Sequence, residues 1–195
     1  SQPLGYKTGN WNEIQESADI LKGFYVEDLC EISFALSGAM IMLGGKAETI
    51  EEGIEISRKM VSTGKAFDKF LEIVEAQGGD ISYVVNPEKY PVSSIREKLY
   101  APSTGHVSAV NGYEIGMSMI ELKAGRMAKE DAIDFKSGLH LTAKVGEHYY
   151  KGQEIGYLEG EDAEKIESVK ERVLNSISFS EEKVEKLQLI KEIIY

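Results

Sequence analysis

The chain has 195 residues, of which 42% are hydrophobic and 28% charged, so it is long enough for one large or two small globular domains. Its 33 acidic and 22 basic residues give a formal net charge of −11, which argues against a nucleic-acid partner because such binding depends on Lys and Arg that neutralise phosphates. The most apolar stretch, residues 35–43, is about half of the roughly 20 residues that cross a bilayer, so no membrane partner is expected.

The first third of the chain has the periodicity of helices. Asn10 or Asn12 can cap the first of them, and Gly23 ends it. In the second, apolar residues face so many sides that we expect this helix to be buried in the core of its layer. Thr49, followed three residues later by Glu52, is typical of a capping box that opens the third. The predicted helices are 10–22, 26–43, 49–62 and 66–76.

The only cysteine, Cys30, falls in the second predicted helix and can form no internal disulfide. A chain without disulfides suits a reducing compartment, and the N-terminal residues lack the charged, apolar and small-residue pattern of a signal peptide. We therefore expect a cytoplasmic protein. No base or acidic residue is placed near Cys30 by sequence, so no catalytic role is expected for this thiol.

The pattern changes at residue 78, where turn-forming residues become frequent. Pro87 and Pro91 prevent a helix from continuing through this segment. Beyond it, short strand patterns alternate with helical ones, so the second region is expected to be α+β. Strands are predicted over 95–101, 105–110 and 139–145, and helices over 113–122 and 162–175.

Four separated segments of the chain match motifs of one enzyme family. They are residues 1–10 (SQPLGYKTGN), 76–80 (AQGGD), 122–134 (LKAGR followed by DAID) and 144–152 (KVG followed by KG). These segments resemble motifs of the thymidine phosphorylases and pyrimidine-nucleoside phosphorylases, such as L-G-A-G-R with D-x-I-D. The motifs occur in the family's order, and the resemblance extends over essentially the whole chain.

The resemblance implies that the chain is the C-terminal part of such an enzyme, with a fold class between α/β and α+β. Residues 1–80 would be the C-terminal helical segment of the catalytic α/β nucleoside phosphorylase domain, and residues 81–94 a linker. Residues 95–195 would form the family's C-terminal α+β domain. Its antiparallel sheet would be barrel-like, as in the biotinyl and lipoyl carrier domains.

The family's reaction is the attack of inorganic phosphate on a pyrimidine nucleoside, a pentosyl transfer in pyrimidine salvage that gives free base and ribose or deoxyribose 1-phosphate. The resemblance places the phosphate-binding and base-binding residues in the preceding half of the enzyme, so no catalytic or substrate-binding residue is assigned here. The chain alone is therefore expected to be inactive. It would need the N-terminal half as its partner, in an enzyme that is a homodimer, and would act structurally near a hinge about which the lobes close over substrate.

A cation site is the one functional site that the resemblance places in this chain. The backbone carbonyls of Leu4 and Lys7 and the carboxylate of Glu16 would contribute ligands to a monovalent cation, potassium, with further carbonyls from the preceding half. Oxygen ligands suit a hard cation, and glycines in the loop let carbonyls converge. Two observations weigh against this. Lys7 stands where relatives carry a small residue, and Glu16 could equally be a solvated carboxylate on a helix face.

Other functions stay open from the sequence. The chain could be the C-terminal part of thymidine phosphorylase proper or of a nucleoside-monophosphate phosphorylase, which differ in the preceding half, or one polypeptide of a split enzyme. Residues 105–108 and 145–155 also resemble the lipoyl and biotinyl barrel, which suggests a non-catalytic binding module. The lysine tripeptide that those carriers modify is absent, however. The three histidines lack the spacing of a zinc site.

Overall fold

The computed structural model describes residues 2–194, which fall into two compact units. The first unit is formed by the residues up to Glu13 together with Pro91–Gln188, and the second by Ile14–Tyr90 together with the residues after Gln188. The first residues of the chain thus belong with its C-terminal part. The predicted division into domains at residues 81–94 stays a prediction. The boundary between the two compact units falls within this segment, after Tyr90.

Seven α-helices lie in the described part of the chain. They are α1 Trp11–Leu21, α2 Glu27–Leu43, α3 Ile50–Ser62, α4 Lys65–Ala76, α5 Ile81–Val85, α6 Gly112–Glu121 and α7 Ala163–Asn175. The strands are β1 Lys7–Gly9, β2 Ile95–Tyr100, β3 Gly105–Val110, β4 Gly138–Leu141, β5 His148–Tyr149, β6 Glu154–Gly160 and β7 Ile177–Ser180. None of the described helices is both long and apolar enough to span a bilayer.

The second unit is helical, as the periodicity predicts. The capping box at the start of α3 is present in a variant form: the Glu52 N–H donates to Thr49 Oγ1 at 3.1 Å, while the Glu52 carboxylate accepts from the Glu48 N–H at 2.7 Å. The carboxylate therefore reaches one residue beyond the N-cap that such boxes usually engage. The predicted start of α3 is confirmed.

α2 and α3 cross at two glycines. A Cβ added at Gly53 would lie 2.9 Å from the Cα of Gly38, and one added at Gly38 would lie 2.8 Å from the Ile50 carbonyl oxygen. Real Cβ atoms almost never approach other atoms this closely, so any side chain at either position would push the helices apart. The absence of side chains lets the two backbones touch, and α3 thereby covers one face of α2.

The expectation that α2 is buried on all sides is wrong for one face. Leu36, Met40 and Leu43 recur at helical spacing and are 60%, 65% and 80% exposed. The described residues supply neighbours only for the opposite side, where Cys30 and Phe34 are buried. A helix is buried all round only if elements cover each of its faces. We call Leu36, Met40 and Leu43 the α2 stripe.

The turn-rich prediction for residues 78–94 is wrong over Ile81–Val85, which form the short helix α5. Asp80 caps this helix by accepting a hydrogen bond from the Ser82 N–H at 2.8 Å. A single turn gives too few residues for a period to show, and only the cap could have indicated it. Pro87 begins a 3₁₀ turn that follows, as its fixed φ allows.

The first unit contains two antiparallel sheets, with strand orders β1-β4-β6-β2 and β5-β3-β7. Helices α6 and α7 pack with them around one core, so the α+β class is confirmed. Across residues 2–194 the strands form these two sheets and not one closed barrel, and the barrel-like geometry stays a prediction. Completely buried core side chains are Leu99, Val107, Ile115, Leu139, Ile155, Leu158, Val169 and Val173.

The predicted strand 139–145 is wrong in its second half, because β4 ends at Leu141. The chain then turns toward Gly146, whose φ of +95° lies in the left-handed region. β6 has no counterpart in the sequence prediction, since Gly156 and Gly160 interrupt its alternation. The paired strand β4 leaves no room for a side chain at Gly156, because a Cβ there would lie 3.1 Å from the Cα of Leu141.

α6 ends in a left-handed residue that is not glycine. The Ala124 N–H donates to the Met119 carbonyl and the Lys123 N–H to the Ile120 carbonyl, at 2.9 and 3.0 Å. This pair of hydrogen bonds forms a Schellman motif, which places Lys123 at the position where glycine is favoured. The φ of Lys123 is +67°, so its Cβ is strained there. The related motif L-G-A-G-R carries glycine at this position.

Replacing Lys123 by glycine should therefore stabilise the first unit by about 1 kcal/mol, because the strain of the left-handed Cβ is removed. The exposed lysine side chain makes little contribution of its own. Urea denaturation followed by circular dichroism measures the change. Lys123→Ala is the matched control, since it removes the same side chain but keeps the Cβ, and an equal stabilisation by alanine would contradict this explanation.

Candidate functional site

The loop of residues 2–10 is an integral part of the first unit. β1 is the edge strand of the four-stranded sheet and pairs antiparallel with β4, with Lys7 opposite His140 and Thr8 opposite Leu139. The Leu141 N–H extends this ladder by donating to the Tyr6 carbonyl at 2.7 Å. The motif-bearing loop is thus held by backbone pairing to the C-terminal part of the chain.

The register decides where the carbonyl of Lys7 points. Hydrogen-bonded pairs alternate with non-bonded pairs along an antiparallel ladder. Because Leu141 bonds to Tyr6, the next bonded pair is Thr8 with Leu139, and Lys7 lies between them. Its N–H and carbonyl therefore face away from β4, toward the open edge of the sheet. A carbonyl in this position can serve as a ligand without breaking the ladder.

The turn from this loop into α1 is tightly packed around one asparagine. The Asn12 side-chain amide donates to the carbonyls of Thr8 and Leu139, both at 3.2 Å, and so joins β1, β4 and the start of the helix. Gly9 leaves no room for a side chain, since its Cβ would lie 2.7 Å from Asn12 Oδ1 and 2.9 Å from the Ser137 carbonyl oxygen. Gly9 and Asn12 are thus both required by the packing of this turn.

A lysine ammonium occupies the inner side of the same loop. Lys144 Nζ donates to the carbonyl of Pro3 at 2.7 Å and to the carbonyl of Gly5, and it lies 5.6 Å from the centre of the Tyr6 ring. The next residue, Val145, donates its N–H to Gln2 Oε1 at 2.8 Å. The K-V-G motif and the N-terminal motif, far apart in sequence, are therefore parts of one structure.

Aromatic rings cover the face of the sheet beside β1. Tyr6 meets His140 edge to face at 6.1 Å between ring centres, His140 packs on Tyr157 at 4.9 Å, and the Arg96 guanidinium lies 4.4 Å from the centre of the Tyr157 ring. Burial, and then the charge of Lys7, lower the pKa of His140 below its usual 6.5. The uncharged imidazole is therefore favoured over the charged form at neutral pH.

The structure places the three predicted cation ligands in the two units. Leu4 and Lys7 lie in the loop of the first unit, whereas Glu16 lies on α1 in the second. Glu16 is only 6% exposed, so it is not the solvated carboxylate that the sequence left open. Across residues 2–194 no group of three or more His, Cys, Asp or Glu side chains is placed to hold a metal ion.

These residues fit the chemistry of a potassium ligand set. Carbonyl and carboxylate oxygens are the donors that hard cations take, and the Lys7 carbonyl faces the sheet edge. A site at Leu4, Lys7 and Glu16 stays a prediction.

The sequence does not single out Lys144 as a functional residue, although it lies in a matched motif. Its position in the sequence does not show that its partners are carbonyls 141 and 139 residues away. The histidines likewise gain partners only in the fold: His106 and His148 lie opposite each other on β3 and β5, 4.9 Å apart between ring centres. Only the pairing of strands brings such residues together.

Comparison with known proteins gives one consistent result. Residues 106–180 match the family model described as pyrimidine nucleoside phosphorylase C-terminal domain. The chain is 37% identical over 194 residues to a pyrimidine-nucleoside phosphorylase of Staphylococcus epidermidis, with 100% of this chain and 44% of that protein covered. It is 37% identical over 182 residues to the Bacillus subtilis protein of that name, covering 93% and 42%, and 36% identical over 190 residues to that of Geobacillus stearothermophilus, covering 97% and 44%.

The chain thus spans less than half the length of the curated relatives that it matches. The matched family model begins at β3 and ends at β7, so it lies within the first unit. The similarity to the relatives continues through the helical unit and the N-terminal loop, as the motifs predict. Residues 106–180 thus match the C-terminal domain of the pyrimidine-nucleoside phosphorylase family, and the chain is similar along its whole length to proteins of that name.

Proposed function

We propose that this chain is the C-terminal part of a pyrimidine-nucleoside phosphorylase, which converts a pyrimidine nucleoside and phosphate into the free base and a pentose 1-phosphate. The observation that carries this proposal is the similarity along the whole chain to relatives of that name, together with the docking of the N-terminal motif loop on the C-terminal unit. The groups that hold phosphate and base would lie in the preceding part of the enzyme. The chain alone is then inactive, and its enzyme is a cytoplasmic homodimer.

The α2 stripe supports a missing partner segment. Three large apolar side chains on one helix face, each at least 60% exposed, form the kind of surface that proteins normally cover. Beside it, a cavity of about 610 Å³ opens among α1 to α4, lined by apolar side chains that include Ile20, Phe34 and Phe70. Because the relatives are about twice as long as the chain, the occupant that we propose is their N-terminal part.

The proposed contribution to mechanism is positional. The carbonyls of Leu4 and Lys7 and the carboxylate of Glu16 would bind potassium together with carbonyls from the N-terminal part. Potassium would supply positive charge that fixes the loop near the hinge of the two lobes. Closure of the lobes brings phosphate and nucleoside into the geometry of attack. In the same way, we propose that the two sheets of the first unit correspond to the barrel-like, biotinyl- or lipoyl-like sheet of the family.

A chimera tests this proposal. The matched segment of the Bacillus subtilis relative is replaced by this chain, and phosphate-dependent release of uracil from uridine and of thymine from thymidine is measured. Activity in the chimera is expected, because this chain would supply the same contacts as the segment that it replaces. A chimera that is folded and dimeric but does not cleave either nucleoside would contradict the assignment.

Substituting Glu16 by alanine in the chimera should weaken its response to potassium. The variant loses one oxygen ligand and a negative charge, and we expect at least about tenfold more potassium to be needed for half-maximal activity. Potassium titration of the initial rate provides the measurement. Glu13→Ala is a matched control on the same helix, since its exposed carboxylate only accepts from the Gly9 N–H. An unchanged potassium response in Glu16→Ala would contradict the proposed role of Glu16 as a potassium ligand.

A further inference from the structure

The inner side of the N-terminal loop is built as a cradle for a cation. Two backbone carbonyls, of Pro3 and Gly5, and the face of the Tyr6 ring converge on Lys144 Nζ. Carbonyl oxygens and an aromatic face are the two neutral groups that best stabilise a positive charge. The Lys144 side chain comes from the turn that follows β4. The ammonium is therefore a cation tethered to the sheet.

The strand that holds this loop to the sheet is short. β1 contains only three residues, and its outer side has no neighbouring strand in the sheet order. An edge strand of this length is weak by itself. The bond from Leu141 to Tyr6 and that from Val145 to Gln2 lie on either side of Lys144 in sequence, so all three contacts fasten the same short segment. Of these, only Lys144 provides charge-assisted hydrogen bonds, which are about twice as strong as neutral ones.

We propose that Lys144 is a positioning residue: its ammonium is a built-in cation that holds the loop of residues 2–9 in place. The carbonyls that it engages, of Pro3 and Gly5, are different from those of Leu4 and Lys7. Lys144 thus leaves the latter two available, and its consequence for potassium binding rests on the proposed function. The holding of the loop by charge depends on the geometry of this chain alone.

Hydrogen exchange of this chain, read by NMR, tests the proposal with the Leu141 amide as reporter. Lys144→Met keeps the length of the side chain and removes the charge, and the protection of Leu141 should fall at least about tenfold. The amide of Val169, in the core helix α7, serves as an internal reference for folding. Unchanged protection of Leu141 in Lys144→Met would overturn the proposal.

Chemical rescue separates charge from packing. Lys144→Ala removes both the ammonium and its stem, so a free cation can enter the cradle. Ethylammonium should restore most of the lost protection of Leu141 in Lys144→Ala but not in Lys144→Met, where the methionine side chain fills the space. Loss of protection in Lys144→Ala together with full protection in Lys144→Met would show that the lysine acts only by packing. Absence of rescue in Lys144→Ala would likewise overturn the tethered-cation role.

This readout contains no nucleoside, phosphate or potassium. Failure of the proposed phosphorylase activity would therefore leave it unaffected, and failure of the rescue would leave the activity to be judged by the chimera. Lys144→Arg provides the conservative comparison. It keeps the charge, and we expect it to retain more protection of Leu141 than Lys144→Met.

Discussion

Replacing Gly53 by alanine is expected to destabilise the helical unit, and replacing it by valine to destabilise it further. In an exposed helix the change from glycine to alanine stabilises by about 1 kcal/mol through propensity. At Gly53 the new Cβ would lie 2.9 Å from both the Cα and the carbonyl carbon of Gly38. These are backbone atoms, which cannot rotate away, and overpacking of this kind costs about 1–3 kcal/mol or more. The steric cost therefore exceeds the propensity gain.

Thermal unfolding followed by circular dichroism measures the effect. Gly116→Ala is the matched control, because Gly116 also lies within a helix but has no atom within 4 Å of its added Cβ. The same substitution should thus stabilise at Gly116 and destabilise at Gly53. A gain in stability at Gly53 would mean that α2 and α3 are not in contact at this point, and the description of the helical unit would be wrong.

Replacing Leu36 and Met40 together by glutamate should abolish association with the N-terminal part of the relatives. In the proposed complex these side chains become buried, and burying two unpaired carboxylates costs several kcal/mol. Association should weaken by at least about 100-fold, or about 2.7 kcal/mol. Titration calorimetry of this chain with the N-terminal part of the Bacillus subtilis relative gives the affinity.

The same double variant should be less prone to self-association than the original chain, because it no longer exposes the α2 stripe. Sedimentation velocity checks this. Glu31→Lys provides a matched change of charge on α2, at an exposed position away from the stripe, and should leave both properties nearly unchanged. Equal affinity for the N-terminal part with and without the two glutamates would show that the stripe is not the interface.

Helices α1 to α4 could be predicted from sequence within about one residue because their signals are local. Apolar residues at helical spacing, the Thr49 cap and the glycines that end helices all act over a few positions. The burial of α2 could not be predicted in the same way. Periodicity shows which residues prefer to be covered, whereas the covering element must be supplied by the rest of the fold.

The sheets were less predictable because their information is non-local. β6 contains two glycines, and Gly156 is required only by the close approach of β4, which sequence does not show. Similarly, the loop at residues 2–10 was identified by its motif, yet its place at the edge of the first unit depends on pairing with residues more than 120 positions away. Lys144 is the clearest case, since its partners become evident only when that edge is built.

The measurement that tests the account most directly is phosphate-dependent release of uracil from uridine in potassium buffer, by this chain alone and with the N-terminal part of the Bacillus subtilis relative added in trans. The account predicts no release by the chain alone and release after mixing, since the two parts would complete one site. Release by the chain alone would contradict it, because a catalytic site would then lie within these residues.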